Sequence, residues 1–136
     1  MREQPLILIV EDNPASLEIM QVRLEASDYR VITATDGAEG LAEAQSSLPE
    51  LFRLDVMMPN MDGLEVCRRL KNNDSLPFMP IIMVTAKTDT KDVIAGLEAG
   101  GDEYLTKPVD HGSLVARVKS MLRIKELHDT VIAQST

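Results

Sequence analysis

The segment LILIVEDNPASLEIM (residues 6–20) combines a strand, a charged turn and the start of a helix. Its first five residues are all apolar, which is typical of a strand covered on both faces. Asn13 is a candidate N-cap, and Pro14 suits the first position of a helix. Apolar residues then recur at helical spacing at Leu17, Met20 and Leu24. This order predicts an α/β unit whose charged residues lie at the carboxyl end of a buried strand.

The same alternation continues along the chain. Short apolar runs predict five strands, at residues 6–10, 29–34, 51–54, 80–85 and 102–106. Helical spacing between them is formed by Ala38, Leu41 and Ala42, by Leu64, Cys67 and Leu70, by Ile94 and Leu97, and by a stretch from Asp110. Further helix boundaries are expected at Asp36, Gly100 and Gly101. Alternating strands and helices predict a three-layer αβα sandwich with a parallel sheet.

Composition limits the class of protein. A chain of 136 residues with 44% apolar residues fits one globular domain, and neither a signal peptide nor a membrane span is evident, so a cytoplasmic protein is expected. The net charge of −8 argues against direct binding to nucleic acid. Cys67, the single cysteine, is expected to be a packed apolar residue rather than a reactive thiol.

Polar residues collect at the predicted carboxyl ends of the strands, where parallel sheets bind ligands. They are Glu11, Asp12 and Asn13 after the first strand, Asp55 after the third, Thr85, Ala86 and Lys87 after the fourth, and Lys107 and Pro108 after the fifth. Two carboxylates about 4 Å apart repel by about 4 kcal/mol at an effective dielectric constant near 20. A site made of oxygens, without nearby His or Cys, suits Mg²⁺ as the ion that offsets this repulsion.

Asp55 is also a candidate nucleophile toward phosphorus, because a carboxylate beside a metal ion and a lysine can form an acyl phosphate. In that chemistry Lys107 would pair with the phosphoryl group, and Thr85 would donate a hydrogen bond to it. The sequence therefore predicts phosphoryl transfer at this edge of the sheet.

The motifs ILIVEDN, LDVMMPNMDG, VTA and YLTKP, in this order, resemble the receiver domain of bacterial two-component response regulators. The resemblance covers roughly residues 5–125. It implies a flavodoxin-like, CheY-like fold with five helices and strand order 2-1-3-4-5, a receiver domain over residues 1–125 and a C-terminal helical extension over residues 126–136.

The resemblance also implies roles for individual residues. Asp55 is the phosphoacceptor, and Mg²⁺ is bound by Glu11, Asp12, Asp55 and the backbone carbonyl of Met57. Lys107 pairs with the phosphoryl group, with a cis bond to Pro108, while Thr85 and Tyr104 are the switch residues. A histidine kinase or histidine phosphotransfer protein supplies the phosphoryl group. The domain is then a signalling switch, which catalyses only its own phosphoryl transfer and dephosphorylation.

Several positions are less ordinary. Glu11 replaces the more usual Asp, so its contact with a metal is expected to pass through water. Arg53 lies in a strand that should be buried, and we expect it to reach solvent or to pair with an acid such as Glu50. Lys87 and Met57 are expected to tune the lifetime of the phosphoryl group.

The C-terminal stretch is longer than a five-helix sandwich requires. Its sheet-facing residues are expected to be Leu114, Val115, Val118 and Leu122, and a second apolar stripe is formed by Ile124, Leu127 and Val131. This second stripe predicts contact with a second copy of the chain, in a homodimer, or with an output domain beyond these residues. The contact surface is expected to consist of the fourth helix, the fifth strand and the fifth helix, together with the C-terminal helix. A frayed, exposed tail is the alternative.

Three alternative functions are open at this point. A phosphohydrolase with an aspartyl nucleophile would typically have a second acid two residues later, where this chain has Met57. A flavin or nucleotide binder would need a Gly-rich or Ser/Thr-rich phosphate loop after the first strand, where EDNPAS offers acids. A degenerate receiver would lack some of the chemical groups, all of which are present here.

Overall fold

Five strands and five helices alternate along the computed structural model, which describes residues 4–58, 61–85, 90–107 and 109–135. The strands are β1 (Leu6–Val10), β2 (Arg30–Ala34), β3 (Leu51–Asp55), β4 (Ile81–Thr85) and β5 (Glu103–Thr106). The helices are α1 (Pro14–Ala26), α2 (Gly37–Ser47), α3 (Gly63–Lys71), α4 (Thr90–Glu98) and α5 (His111–Ser135). The predicted alternation is confirmed, and β3 extends one residue further than expected, to include Asp55.

The strands form one parallel sheet in the order β2-β1-β3-β4-β5, which confirms the expected topology. In this register Arg53 of β3 lies between Ile9 of β1 and Ile82 of β4. The middle strand is therefore covered laterally by apolar neighbours, and its carboxyl end lies beside that of β1.

Two apolar cores cover the two faces of the sheet, because successive side chains of a strand point in opposite directions. One core packs the sheet against α2 and α3, and includes Leu8, Val10, Phe52, Leu54, Ala44, Val66, Cys67 and Leu70. The other packs it against α1 and α5, and includes Ile7, Ile9, Leu51, Val84, Met20, Leu24, Leu114 and Val118. Arg53 and Asp55 come two and four residues after Leu51 and so lie on the same face, under α1 and α5.

The helix boundaries follow the expected local signals. The side-chain oxygen of Asn13 accepts hydrogen bonds from the backbone N–H groups of Ala15 and Ser16, at 3.0 and 3.1 Å, just before Pro14. Asp36 caps α2 in the same way. After α4, Gly100 has a φ of 104°, a left-handed conformation that glycine adopts without strain.

The apolar residues whose spacing predicts α2 and α4 do not all face the sheet. In α2 the residues against the sheet are Gly40 and Ala44, whereas Ala38 and Ala42 are exposed. In α4, Ile94 and Leu97 are 48% and 53% exposed. The reason is close packing: a Cβ atom at Gly40 would lie only 2.9 Å from Cγ2 of Val10, so small residues occupy the interface.

Cys67, a residue of α3, is buried in the core between this helix and the sheet, as expected for a packed apolar residue. Its Sγ atom donates a hydrogen bond to the carbonyl oxygen of Ala99, at 3.3 Å. Burial raises the pKa of the thiol to about 11, so the thiolate is disfavoured at neutral pH.

Helix α5 continues without a break through Ser135, and its first part covers the sheet as predicted. Leu114 and Val118 are buried there, and Val115 and Leu122 pack against the same core. Beyond them the second stripe is exposed, at 44% for Ile124, 61% for Leu127 and 62% for Val131. Among the described residues, no helix has the length and apolarity that crossing a bilayer requires.

The second part of α5 contacts the loop between α3 and β4 through Phe78. The ammonium group of Lys125 donates a hydrogen bond to the carbonyl oxygen of Phe78, at 3.0 Å, and its side chain is only 13% exposed. The ring of His128 lies 4.5 Å from the ring of Phe78, centroid to centroid, and Nζ of Lys71 lies 4.8 Å from the centre of the phenyl ring. We call Phe78, Lys71, Lys125 and His128 the Phe78 clasp.

Candidate acidic functional site

Three carboxylates meet where β1 and β3 end. Glu11 directly follows β1, Asp12 comes next, and Asp55 is the last residue of β3. The backbone N–H of Glu11 donates to the carbonyl oxygen of Ala34, at 3.0 Å, which continues the pairing of β1 with β2 for one more residue. One oxygen from each carboxylate lies within 4.8 Å of the other two. The convergence expected from the strand ends is therefore present.

Two of these acids are buried. Glu11 is 0% and Asp55 1% exposed, whereas Asp12 is exposed. Oε2 of Glu11 and Oδ1 of Asp55 have no hydrogen-bond partner among the described residues. Buried carboxylate oxygens without donors are costly, and oxygen ligands are those that Mg²⁺ prefers. The donor set therefore fits a hard divalent cation.

Lys107 supplies a positive charge to both buried acids. Its Nζ atom lies 3.0 Å from Oδ2 of Asp55 and 3.4 Å from Oε1 of Glu11. The backbone N–H of Lys107 donates to the carbonyl oxygen of Thr85, at 2.7 Å, and this bond fixes the chain just beyond β5 against the end of β4. The lysine is 34% exposed, so its ammonium group borders both the acids and solvent.

The pKa of Glu11 is raised from 4.5 to about 7. Burial is the largest cause, followed by the adjacent carboxylate of Asp55, which would accept a hydrogen bond from protonated Glu11 and repels its ionised form, while the positive charges of Arg53 and Lys107 act in the opposite direction. The acid cluster thus remains short of positive charge even with two cations nearby. A bound divalent cation would favour the ionised form of Glu11.

Thr85 and Tyr104 lie on neighbouring strands. Thr85 is 1% exposed at the carboxyl end of β4, two residues beyond Met83, which pairs in register with Tyr104 of β5. By alternation, these three side chains lie on one face of the sheet. The ring of Tyr104 packs on α4 at Gly96, where a Cβ atom would lie 2.6 Å from Cε2 of the ring.

Arg53 pairs with an acid, which is one of the two arrangements expected for it, but that acid is Glu11 rather than Glu50. Arg53 does not reach solvent, because its side chain is only 2% exposed. Its NH1 atom lies 3.9 Å from Oε1 of Glu11. The reason is the alternation of β3, which places Arg53 on the same face as Asp55, below α1 and α5, where the nearest carboxylate follows β1.

The loop after β3 holds the remaining candidate ligand. Met57 is 55% exposed, whereas the neighbouring residues Val56 and Met58 are buried. Gly63, at the end of this loop, is required to be glycine, because a Cβ atom there would collide with the backbone carbonyl of Asp55. Its signal was the MDG turn at the start of α3. Ala86, Lys87 and Pro108, which the sequence places at the ends of the fourth and fifth strands, lie outside the described residues.

Sequence comparisons agree with this arrangement. The family model described as "Response regulator receiver domain" matches residues 7–119. The response regulator PleD of Caulobacter vibrioides is 44% identical over 123 residues, which are 90% of this chain and 27% of PleD. The alkaline phosphatase synthesis transcriptional regulatory protein PhoP of Bacillus subtilis is 45% identical over 121 residues, which are 89% of this chain and 50% of PhoP.

These relatives are longer than the chain, which spans between about a quarter and a half of their lengths. One relative, RpaA of Synechocystis, is named a DNA-binding dual master transcriptional regulator and is 41% identical over 119 residues. The expectation that this protein does not bind nucleic acid directly therefore stays a prediction.

Solved structures show the same fold. A CheY-like receiver domain protein from Methanospirillum hungatei superposes with a TM-score of 0.86 at 31% identity, covering 92% of this chain and 98% of that one. A response regulator from Chloroflexus aurantiacus gives a TM-score of 0.84 at 36% identity, covering 88% and 98%. With its fold, its clustered strand-end acids and this match over most of its length, the chain belongs to the response regulator receiver domains of two-component systems.

Proposed function

We propose that this receiver is a switch that accepts a phosphoryl group on Asp55 from a histidine kinase or a histidine phosphotransfer protein. The observation that carries the proposal is the meeting of Glu11, Asp12 and Asp55 within 4.8 Å of one another, with Nζ of Lys107 3.0 Å from Asp55. Acids in this number, with a lysine in contact, suit the transfer of an anionic phosphoryl group better than they suit a structural role.

In the proposed transfer, a bond from phosphorus to nitrogen is replaced by a bond from phosphorus to oxygen. A carboxylate oxygen of Asp55 bonds to the phosphorus of the donor's phosphohistidine, the phosphorus–nitrogen bond breaks, and the imidazole keeps the bonding electron pair and takes up a proton. The product is an acyl phosphate. In the later hydrolysis, water bonds to phosphorus, the carboxylate of Asp55 leaves, and inorganic phosphate is released. The protein is then ready for another cycle and acts as a catalyst only on itself.

The residues proposed to bind Mg²⁺ are Glu11, Asp12, Asp55 and, through its backbone carbonyl, Met57. A bound Mg²⁺ supplies positive charge to the phosphoryl oxygens during transfer. The support for this site is the pair of buried carboxylate oxygens that have no donor among the described residues. Glu11, whose side chain is longer than that of the more usual Asp, is proposed to contact the ion through water.

We further propose that Lys107 pairs with the attached phosphoryl group and that Thr85 and Tyr104 transmit its presence. A hydrogen bond to a charged group contributes about 1.5–3 kcal/mol. Moving a population from 1:99 to 99:1 requires about 5.5 kcal/mol, so Thr85 and Lys107 must act together. The response would reshape the surface formed by α4, β5 and α5, because Tyr104 contacts α4 at Gly96.

Residues 1–125 are proposed to form the receiver and residues 126–136 an extension. The exposed stripe of Ile124, Leu127 and Val131 supports contact with a second copy or with an output domain beyond these residues. The activity of a longer protein would then depend on how phosphorylation changes that contact.

The test is incubation with Mg²⁺ and a small acyl phosphate, followed by intact mass spectrometry. The wild-type protein is expected to gain the mass of one phosphoryl group, and Asp55→Asn is expected to gain none. Asp62→Asn is a matched control, because Asp62 caps α3 through a bond to the N–H of Glu65, at 2.9 Å, and asparagine caps equally well. Equal mass gain in wild type and Asp55→Asn would refute Asp55 as the acceptor.

A further inference from the structure

Arg53 gives the acid cluster a second fixed cation besides Lys107. The guanidinium is 2% exposed, and its NH1 atom is 3.9 Å from Oε1 of Glu11. With Glu11, Asp12 and Asp55 ionised, three negative charges are offset by two positive ones among the described residues. The group keeps a net negative charge, but it attracts a divalent cation less strongly than the three carboxylates would without Arg53.

We propose that Arg53 is a positioning residue that holds Glu11 in the metal-free protein, so that Mg²⁺ must compete with the guanidinium for this carboxylate. The inference rests on the proposed function, because it takes the three acids to be the Mg²⁺ site. Arg53 then sets the Mg²⁺ concentration at which the receiver becomes competent for phosphoryl transfer.

The geometry of the pair makes the exchange feasible. A separation of 3.9 Å is too long for a hydrogen bond, and Nε and NH1 of Arg53 have no hydrogen-bond partner among the described residues. The contact between NH1 and Oε1 is therefore one of charge attraction, and the same Oε1 also contacts Nζ of Lys107, at 3.4 Å. A divalent cation that offers a direct or water-mediated bond can draw the carboxylate away, whereas a bidentate pair would resist it.

The structure also provides a place for the guanidinium after that exchange. Arg53 lines an open pocket of about 540 Å³ between α1 and the segment after β5, together with Ser16, Met20, Lys107 and Val109. Nε and NH1 are buried in this structure, and rotation of the side chain into the pocket would expose them to water. Release of Glu11 therefore does not leave a dry, unpaired cation, which would be costly.

The test is Mg²⁺ titration of the full chain at pH 8.5, followed by ¹H–¹⁵N NMR. Arg53→Met and Arg53→Gln remove the charge, and both are expected to bind Mg²⁺ about tenfold more tightly, because one nearby repelling charge is gone. Arg53→Lys keeps the charge and is expected to stay within about threefold of wild type. Loss of the guanidinium also favours protonated Glu11, which weakens Mg²⁺ binding, so protonation cannot imitate the expected result.

A second readout needs no substitution. In the wild-type protein the Nε resonance of Arg53 is expected to shift with Mg²⁺ occupancy, because its neighbouring carboxylate moves to the ion. Unchanged or weaker affinity in both neutral variants, or an Nε resonance that ignores Mg²⁺, would overturn the inference.

The controls separate this failure from failure of the proposed site. If wild type does not bind Mg²⁺, or if Asp12→Asn binds it equally well, the site itself is wrong. If wild type binds Mg²⁺, Asp12→Asn does not, and neutral residues at Arg53 leave the affinity unchanged, only the role of Arg53 is refuted.

Discussion

Lys107 reaches across one strand to Asp55: its Nζ atom lies 3.0 Å from Oδ2, although β4 stands between β3 and β5 in the sheet. The same ammonium group lies 3.4 Å from Oε1 of Glu11. Lys107 therefore bridges the two buried acids in the metal-free protein, and its positive charge reduces their mutual repulsion.

Lys107→Met is expected to lower the free energy of unfolding by about 1 kcal/mol without Mg²⁺, because the acids lose a neighbouring positive charge. Saturating Mg²⁺ should reduce this loss, since the ion supplies positive charge to the same oxygens. Urea unfolding with and without Mg²⁺ measures both quantities. Lys119→Met, on the exposed face of α5, is the matched control and should change stability little. An equal loss in both conditions would contradict the bridging role.

Glu11 should make stability depend on pH. Its pKa is about 7 in the folded protein and 4.5 unfolded, so between these values the folded state binds more protons. The free energy of unfolding therefore falls as pH rises from about 4.5 to 7, by at most about 3 kcal/mol from this group. In Glu11→Gln this part of the slope should vanish, and the variant should exceed wild type in stability at pH 8. Parallel stability curves for the two proteins, measured without Mg²⁺, would rule out the raised pKa.

The fold and the convergence of Glu11, Asp12 and Asp55 could be predicted from the sequence. Parallel strands place their carboxyl ends at one edge of the sheet, and this does not depend on the conformation of the loops. Contacts between residues that are distant in the sequence could not be predicted in this way. The partner of Arg53 follows from the register of β3 beside β1, which local sequence does not encode. Apolar spacing also does not identify the residues of α2 and α4 that contact the sheet, because Gly40 and Gly96 make the close contacts.

Gly96 should control the position of Tyr104. A methyl group at Gly96→Ala would lie 2.6 Å from Cε2 of the ring, so the ring must move. We expect a loss of about 1–2 kcal/mol in stability, despite the higher helix propensity of alanine. The ring resonances of Tyr104 should shift in NMR spectra.

A double-mutant cycle isolates this contact. In a Tyr104→Ala background the ring is absent, and Gly96→Ala should then cost nothing or stabilise α4. The same loss in both backgrounds would show that Gly96 is required for another reason, and the proposed link between Tyr104 and α4 would lose its structural support.

The Phe78 clasp should hold the extension of α5 on the body of the receiver. Phe78→Ala removes the ring that lies between Lys71 and His128, and we expect a loss of about 1–2 kcal/mol in stability. Amide hydrogens of residues 124–131 should exchange faster in the variant, because Lys125 and His128 of this part of α5 contact Phe78. Leu127→Ala is the matched control, since Leu127 lies on the same helix but is 61% exposed. Unchanged exchange in residues 124–131 of Phe78→Ala would show that the hydrogen bonds of the helix itself keep the extension ordered. The Phe78 clasp would then not determine how the extension is oriented toward a partner or an output domain.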